Sequence, residues 1–361
     1  MYDPLSLFMK SPGYRLSYVA GLRETTGGAS DLLDAFLPQW NYNYQSTRQG
    51  DFPLWRFNKG LGARQYTQSY HPEKLISFVV KPSEALTLQV LLILFLSMMG
   101  MYFLFRSLKI REMPCIIGGL AYAFSGFIVG WLHGPQSSVS YHIPFLFLFL
   151  IHYLRSKRLK YLFYFSLWSC LVIYSGFPPI VGYSFYGIGL FLIIFYMLDR
   201  RRLIVRIKEI FKISLFWILG ILTMAFTFVP WYDSFFISKS FDISHRQIGK
   251  VYTLPLKYFV NIISPFYYGW DITPEIRPYV SSVVILFLIL GIGFFIKRFL
   301  EFEKGFIHKE KCYISFLLLL IPFIMTMYGL FPFYQISCKL PVLNSSPLSR
   351  LQSITSFLLV I

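Results

Sequence analysis

Three observations predict an all-α, polytopic integral membrane protein: long apolar runs recur along the chain, charge is scarce, and basic residues alternate from loop to loop. Of 361 residues, 55% are apolar or aromatic and 14% charged, against roughly 45–50% and about 25% in soluble domains. Runs of about 18 or more apolar residues can each cross a hydrocarbon core roughly 30 Å thick. The guide of about 150 residues per soluble domain therefore does not apply.

Eight segments have the required length and composition: 84–105, 114–132, 138–154, 161–177, 179–198, 212–231, 278–296 and 312–331. A ninth opens at Arg350 and stops at Ile361, short of the about 20 residues a crossing needs. The chain thus reads as an outer loop, 1–83, followed by a bundle, 84–361, which includes a long outer loop at 232–277. Lys and Arg number 3, 4, 6 and 5 in the first, third, fifth and seventh connections, and none occurs in the second and fourth. Basic loops face the cytoplasm, so 1–83, 232–277 and 332–350 are predicted to share the opposite side, with Trp131, Trp231 and Tyr232 in an interfacial belt. The net charge of +17 is then mostly topology and not a nucleic-acid footprint. The leading 83 residues carry nine Lys and Arg with no signal-like apolar run in 1–30, which predicts a preceding span.

Side-chain inventory narrows the chemistry. Cys115, Cys170, Cys312 and Cys338 show neither a CxxC pair nor metal-ligand spacing. None of the 17 carboxylates lies mid-span, which argues against the intramembrane acidic relays of ion-coupled transport. In the second span, Gly119, Ala123, Gly126 and Gly130 fall on nearly one helical face and predict a seam for close helix approach.

Reactive groups are expected in the outer segments. Asp31 and Asp34 share one face of a short helix before Pro38 and present two carboxylates together, or else Ser30 or Asp31 simply caps that helix. Gly50, Pro53, Gly60, Gly62 and Pro72 mark a loop of fixed turns. Leu256, Phe259, Val260 and Ile263 repeat at i, i+3, i+4 and i+7, predicting an amphipathic helix in the outer interface that walls a lipid-tail groove or simply packs on the bundle. His133 and His142, at the outer ends of neighbouring spans, either face one cavity or are hydrogen-bonded structural groups. Arg350 and Arg246 lie near the outer surface, where a guanidinium fork suits phosphate oxygens and where interfacial arginines are also ordinary.

The succession Asp31, Pro38, Gly50-Asp51-Phe52-Pro53-Leu54-Trp55, Gly60 with Gly62, and His71-Pro72 resembles the first outer loop of the YfhO-like family. AYAFSGFIVGWLH, HIPFLFLFL, YSGFPP and LPVLNSSPLSRLQS resemble that family's later spans in the same order, over nearly the whole chain. Ser30 stands where the family often has Gly, and His71 where Tyr is more usual. The resemblance implies a GT-C class, inverting glycosyltransferase of the bacterial cytoplasmic membrane. Such an enzyme moves a sugar from a polyprenyl-phosphate donor to an outer-face acceptor such as a cell-wall polymer or surface glycan. It also implies that the chain is about the front half of a longer protein.

The residues suit that chemistry. A lipid phosphate leaves already anionic, so it needs cationic stabilisation more than a general acid. One carboxylate then suffices as the base for the acceptor hydroxyl, whereas glycosidases usually need two. By matching position Asp31 is the expected base and Asp34 its helper, with Trp55 carried over as a substrate-binding residue; Arg246 and Arg350 are the expected phosphate cations. No acidic cluster demands a divalent cation, although some members of the class use one. Two other readings share these features: a transporter or flippase of lipid-linked sugars, which needs no carboxylate base, and a non-catalytic scaffold for envelope assembly.

Overall fold

The computed structural model describes residues 36–51, 55–56, 63–64, 71–132, 134–225, 253–265, 267, 277–300 and 310–361. The chain divides into two compact units, Met1–Val90 with Tyr268–Pro274 and Leu91–Tyr267 with Glu275–Ile361.

In the first unit, α1 (Leu37–Arg48) carries Pro38 in its opening turn, where the missing N–H costs nothing. It ends at Gly50, whose φ of +84° suits glycine. A two-residue ladder follows, β1 (Trp55–Arg56) against β2 (Ala63–Arg64), with Trp55 opposite Arg64. α1 then packs on α2 (Ile76–Val79), burying Trp40 and Phe78, and Asn43 Nδ2 donates to Ser77 Oγ at 3.3 Å. The helix α3 (Pro82–Ser107) begins in this unit and continues into the second.

Among the described residues the second unit is all-α. Its helices after α3 are α4 (Glu112–Ala123), α5 (Gly126–Gly130), α6 (Pro135–Ser140), α7 (Ile143–Ser156), α8 (Leu159–Tyr174), α9 (Pro178–Met197) and α10 (Leu203–Leu222). After a 3-10 helix at Leu256–Ile262 come α11 (Ser282–Leu300), α12 (Lys311–Met327), α13 (Phe333–Ser337), 3-10 turns at Leu343–Ser345 and Leu348–Leu351, and α14 (Gln352–Val360). Among the described residues, four stretches are long and apolar enough to cross a membrane: Pro82–Ser107, Glu112–Gly130, Pro135–Ser156 and Pro178–Met197. Shorter apolar helices cover Leu159–Tyr174, Ser282–Phe294, Lys311–Met327 and Leu348–Val360. The chain is an all-α polytopic membrane protein.

α14 is the axis of the bundle, every residue from Gln352 to Val360 being buried. Phe357 stacks on Phe147 of α7 at 5.0 Å and meets Tyr122 of α4 edge-on at 6.1 Å. Phe147 also meets Phe191 of α9 and Phe316 of α12, each at 5.3 Å, so one aromatic cluster ties these helices together, with geometry worth about 0.5–1.5 kcal/mol per pair beyond area burial.

The connections gather at two ends. At one, Tyr313 donates to the Leu108 carbonyl at 2.7 Å, Arg155 donates to the Ser107 carbonyl, Lys157 pairs with Glu209 at 2.7 Å, and Asp199 pairs with Arg201 at 2.6 Å and Lys311 at 3.6 Å. The basic loops therefore converge, as their charge alternation requires. At the other end Tyr183 donates to the Pro347 carbonyl at 3.1 Å, Tyr186 to that of Pro341 at 3.0 Å, and Gly126 N–H to that of Tyr279 at 2.8 Å.

Three expectations change. The helix that carries the span expected at 212–231 starts nine residues earlier, because the basic stretch before that span is the first half of α10; Lys, Arg and Glu are good helix formers. The glycine seam is split by a break at Phe124–Ser125: a Cβ at Gly119 would lie 2.8 Å from the Met98 carbonyl, whereas Gly126 abuts Arg277 and Tyr279. The segment Leu256–Ile262 is a 3-10 helix, not an α-helix, exposing Leu256, Phe259 and Ile263 while burying Asn261 and Ile262.

Candidate functional site

Asp31, Asp34, Arg246 and His133 lie outside the described residues. Trp55 sits in β1, and Arg350 lies in the 3-10 turn that opens the axial helix.

Two contacts hold the Arg350 guanidinium. It lies over the Trp131 ring at 5.7 Å and over the Phe177 ring at 5.3 Å, within the about 6 Å reach of a cation–π contact. Trp131 ends α5 and Phe177 caps α9, so two separate helices fix the position of the cation. Its backbone is equally constrained: the Pro347 carbonyl accepts from both Arg350 N–H and Tyr183 Oη. Gly182 lets the preceding loop approach α9, since a Cβ there would lie 2.6 Å from Val342. The residue is half-buried, its guanidinium lies against two rings, and a guanidinium's N–H fork is a geometry that suits anionic oxygens.

Below Arg350 runs a polar row that the residue pattern did not single out. Ser349, Gln352, Ser353 and Ser356 are buried and follow one another at helical spacing. Serines in apolar helices normally close onto the carbonyl one turn back, and Ser97, Ser140, Ser169, Ser184 and Ser315 all do so. Ser349, Ser353 and Ser356 do not: their hydroxyls have no hydrogen-bond partner among the described residues. Ile354 meets Gly187 of α9, Thr355 donates to Met327 of α12, and Phe357 lies against α4 and α7. At about 100° per residue, the serine face points away from these contacts, on a helix that also packs on α4 and α5, which meet at the Phe124–Ser125 break. Ser125 caps α5 at that break, and its buried hydroxyl also lacks a partner among the described residues, as does that of Ser138 on α6. Buried polar atoms are nearly always paired, so this concentration of open hydroxyls marks a place suited to a polar ligand or water.

His142 borders the same end. It is buried, with its ring 4.0 Å from Tyr141 and 5.5 Å from Trp168, so the aromatic packing of α7 and α8 sets its orientation. In the first unit, His71 is buried with Nδ1 3.9 Å from Glu73. Burial pulls the neighbouring Lys74 ammonium below its ordinary value, and the Glu73 charge partly restores it. Among the described residues no three His, Cys, Asp or Glu side chains gather as a metal-ligand set. The arrangement can therefore offer a fixed cation, open hydroxyls and an aromatic platform, the groups that recognise a phosphorylated or polyhydroxylated ligand.

Comparison with family models, curated proteins and solved structures gives no match.

Proposed function

We propose that the chain is a membrane glycosyltransferase of GT-C type that uses a polyprenyl-phosphate-linked sugar. The observation that carries this reading is Arg350, clamped between two rings at the head of a row of buried, open serine hydroxyls, at the end of the bundle opposite the basic loops. The resemblance of the first outer segment to the YfhO-like family supports the same reading and supplies Asp31 as the base.

In the proposed reaction the carrier phosphate lies against Arg350 and the sugar hydroxyls meet the serine row. The acceptor oxygen attacks the anomeric carbon while its proton passes to the Asp31 carboxylate. As the new carbon–oxygen bond forms, the bond from that carbon to the phosphate oxygen breaks, inverting the centre and releasing the polyprenyl phosphate as an anion. Arg350 offsets the growing negative charge, the kind of preorganised stabilisation that contributes most where water is excluded. No step is routed through a metal ion.

The test uses proteoliposomes holding a radiolabelled polyprenyl-phosphate sugar and an outer-face acceptor extract. Label moving to the acceptor with wild-type protein, and not with Asp31→Asn of equal expression, is the expected result. Intact labelled lipid crossing between leaflets in both proteins would point instead to a flippase, and neither movement would point to a scaffold.

A further inference from the structure

The first half of α10 has no part in the reaction above, yet it departs most from the pattern of a membrane span. Glu209 is level with Lys157, which it pairs at 2.7 Å, and Gly220 abuts the backbone of Ser166. α10 thus runs alongside α8, and its opening turns, Leu203 to Lys208, extend past the start of α8 at Leu159.

These turns have three distinct faces. One is anchored inward: Arg206 donates to the Tyr196 carbonyl at 2.8 Å, and Glu209 takes Lys157 and the Tyr153 hydroxyl, the latter at 3.0 Å. A second is apolar and open, with Leu203 63%, Ile204 56%, Ile207 51% and Phe211 69% exposed. The third is basic and open, formed by Lys208 and Lys212, and Arg202 is exposed just before it at the N-cap. At about 100° per residue the four apolar side chains span roughly a third of the helix circumference, Lys208 and Lys212 border them on one side, and Arg202 sits at the helix end. A helix end that presents an apolar sector flanked by cations matches the boundary between acyl chains and acidic headgroups.

We infer that this part of α10 is a binding site for acidic phospholipid, with Leu203, Ile204, Ile207 and Phe211 in the acyl region and Arg202, Lys208 and Lys212 on headgroup phosphates. Charge complementarity selects the occupant: the three exposed cations lie in the connection richest in Lys and Arg, so an anionic surface fits and a cationic or neutral one does not. The inference is independent of the sugar-transfer reading.

The full chain is reconstituted in nanodiscs of equal parts phosphatidylcholine and phosphatidylglycerol, released into mild detergent, and its retained lipids counted by native mass spectrometry. Wild type should retain phosphatidylglycerol in preference. The variant R202Q/K208Q/K212Q should lose about tenfold of that preference, each cation near an anionic surface contributing roughly a factor of five at most. K109Q/R111Q/R158Q, which removes the same charge from the other basic loops, should keep it. No preference in wild type, or equal loss in both variants, overturns the proposal. As a second readout, the fluorescence that Phe211→Trp adds over the wild-type protein with its seven tryptophans should be quenched by lipids brominated on their acyl chains; no quenching of that added signal, as expected if a soluble protein covers this face, also overturns it.

Discussion

Arg350 and the serines beneath it make separable predictions, because the guanidinium lies against two rings whereas the hydroxyls of Ser349, Ser353 and Ser356 have no hydrogen-bond partner among the described residues. Arg350→Lys keeps the charge but loses the planar stack and the fork, whereas Arg350→Ala loses both. Hydrogen bonds to charged groups contribute about 1.5–3 kcal/mol, so Arg350→Ala should weaken donor use by roughly 10- to 100-fold, with Arg350→Lys between it and wild type. Ser353→Ala removes a buried hydroxyl that has no partner among the described residues. It should leave thermal stability in detergent unchanged or slightly raised while raising the donor KM about threefold or more, one neutral hydrogen bond's worth. A purely structural serine would show the opposite pattern. Arg350 was legible in the sequence because a lone guanidinium opening an apolar segment is conspicuous. The serine row was not, since LSRLQSITS reads the same whether its hydroxyls close on the helix or stay open; only the contrast with Ser97, Ser169 and Ser184 separates them.

Packing of whole elements depends on a few close approaches. A Cβ at Gly119 would lie 2.8 Å from the Met98 carbonyl, and one at Gly220 would run into the backbone of Ser166. Gly119→Val and Gly220→Val should each destabilise the protein by about 1–3 kcal/mol through overpacking, measured as a lowered unfolding midpoint in detergent. Gly189, where an added Cβ would meet nothing within 4 Å, should accept Ala with no loss. Most span positions were legible from apolar run length, and the helices lie within a few residues of them. The exceptions have physical causes. The pattern Leu256, Phe259, Val260, Ile263 suits an α-helix, but the shorter repeat of the 3-10 form turns Asn261 inward instead. The start of α10 was hidden because charged residues suggest a loop, although here Glu209 and Arg206 anchor helical turns to α7 and α9.

At the scale of the whole molecule, ion pairs lock the basic loops together. Burial would raise the Glu209 carboxyl, but the hydrogen bond and charge of Lys157, with the Tyr153 hydroxyl, outweigh it and hold the group below its ordinary 4.5. Burial likewise opposes ionisation of Asp199, and Arg201 and Lys311 prevail, holding it below 3.8. Because both folded-state values are depressed, their stabilisation is present above the ordinary carboxylate range and is lost as pH falls through the folded values. The unfolding midpoint should therefore drop between about pH 5 and about pH 3, and D199N/E209Q should flatten that dependence. The convergence of basic loops at one end and of Arg350, Trp131 and Phe177 at the other also makes sidedness testable. The most direct measurement places single cysteines at Asn344 and at Lys109, both exposed, after replacing Cys170 and Cys338, which are partly accessible. A membrane-impermeant maleimide applied to intact cells should label Asn344→Cys at once and Lys109→Cys only after permeabilisation; the reverse order would leave the Arg350 end without its lipid-linked donor and contradict the account.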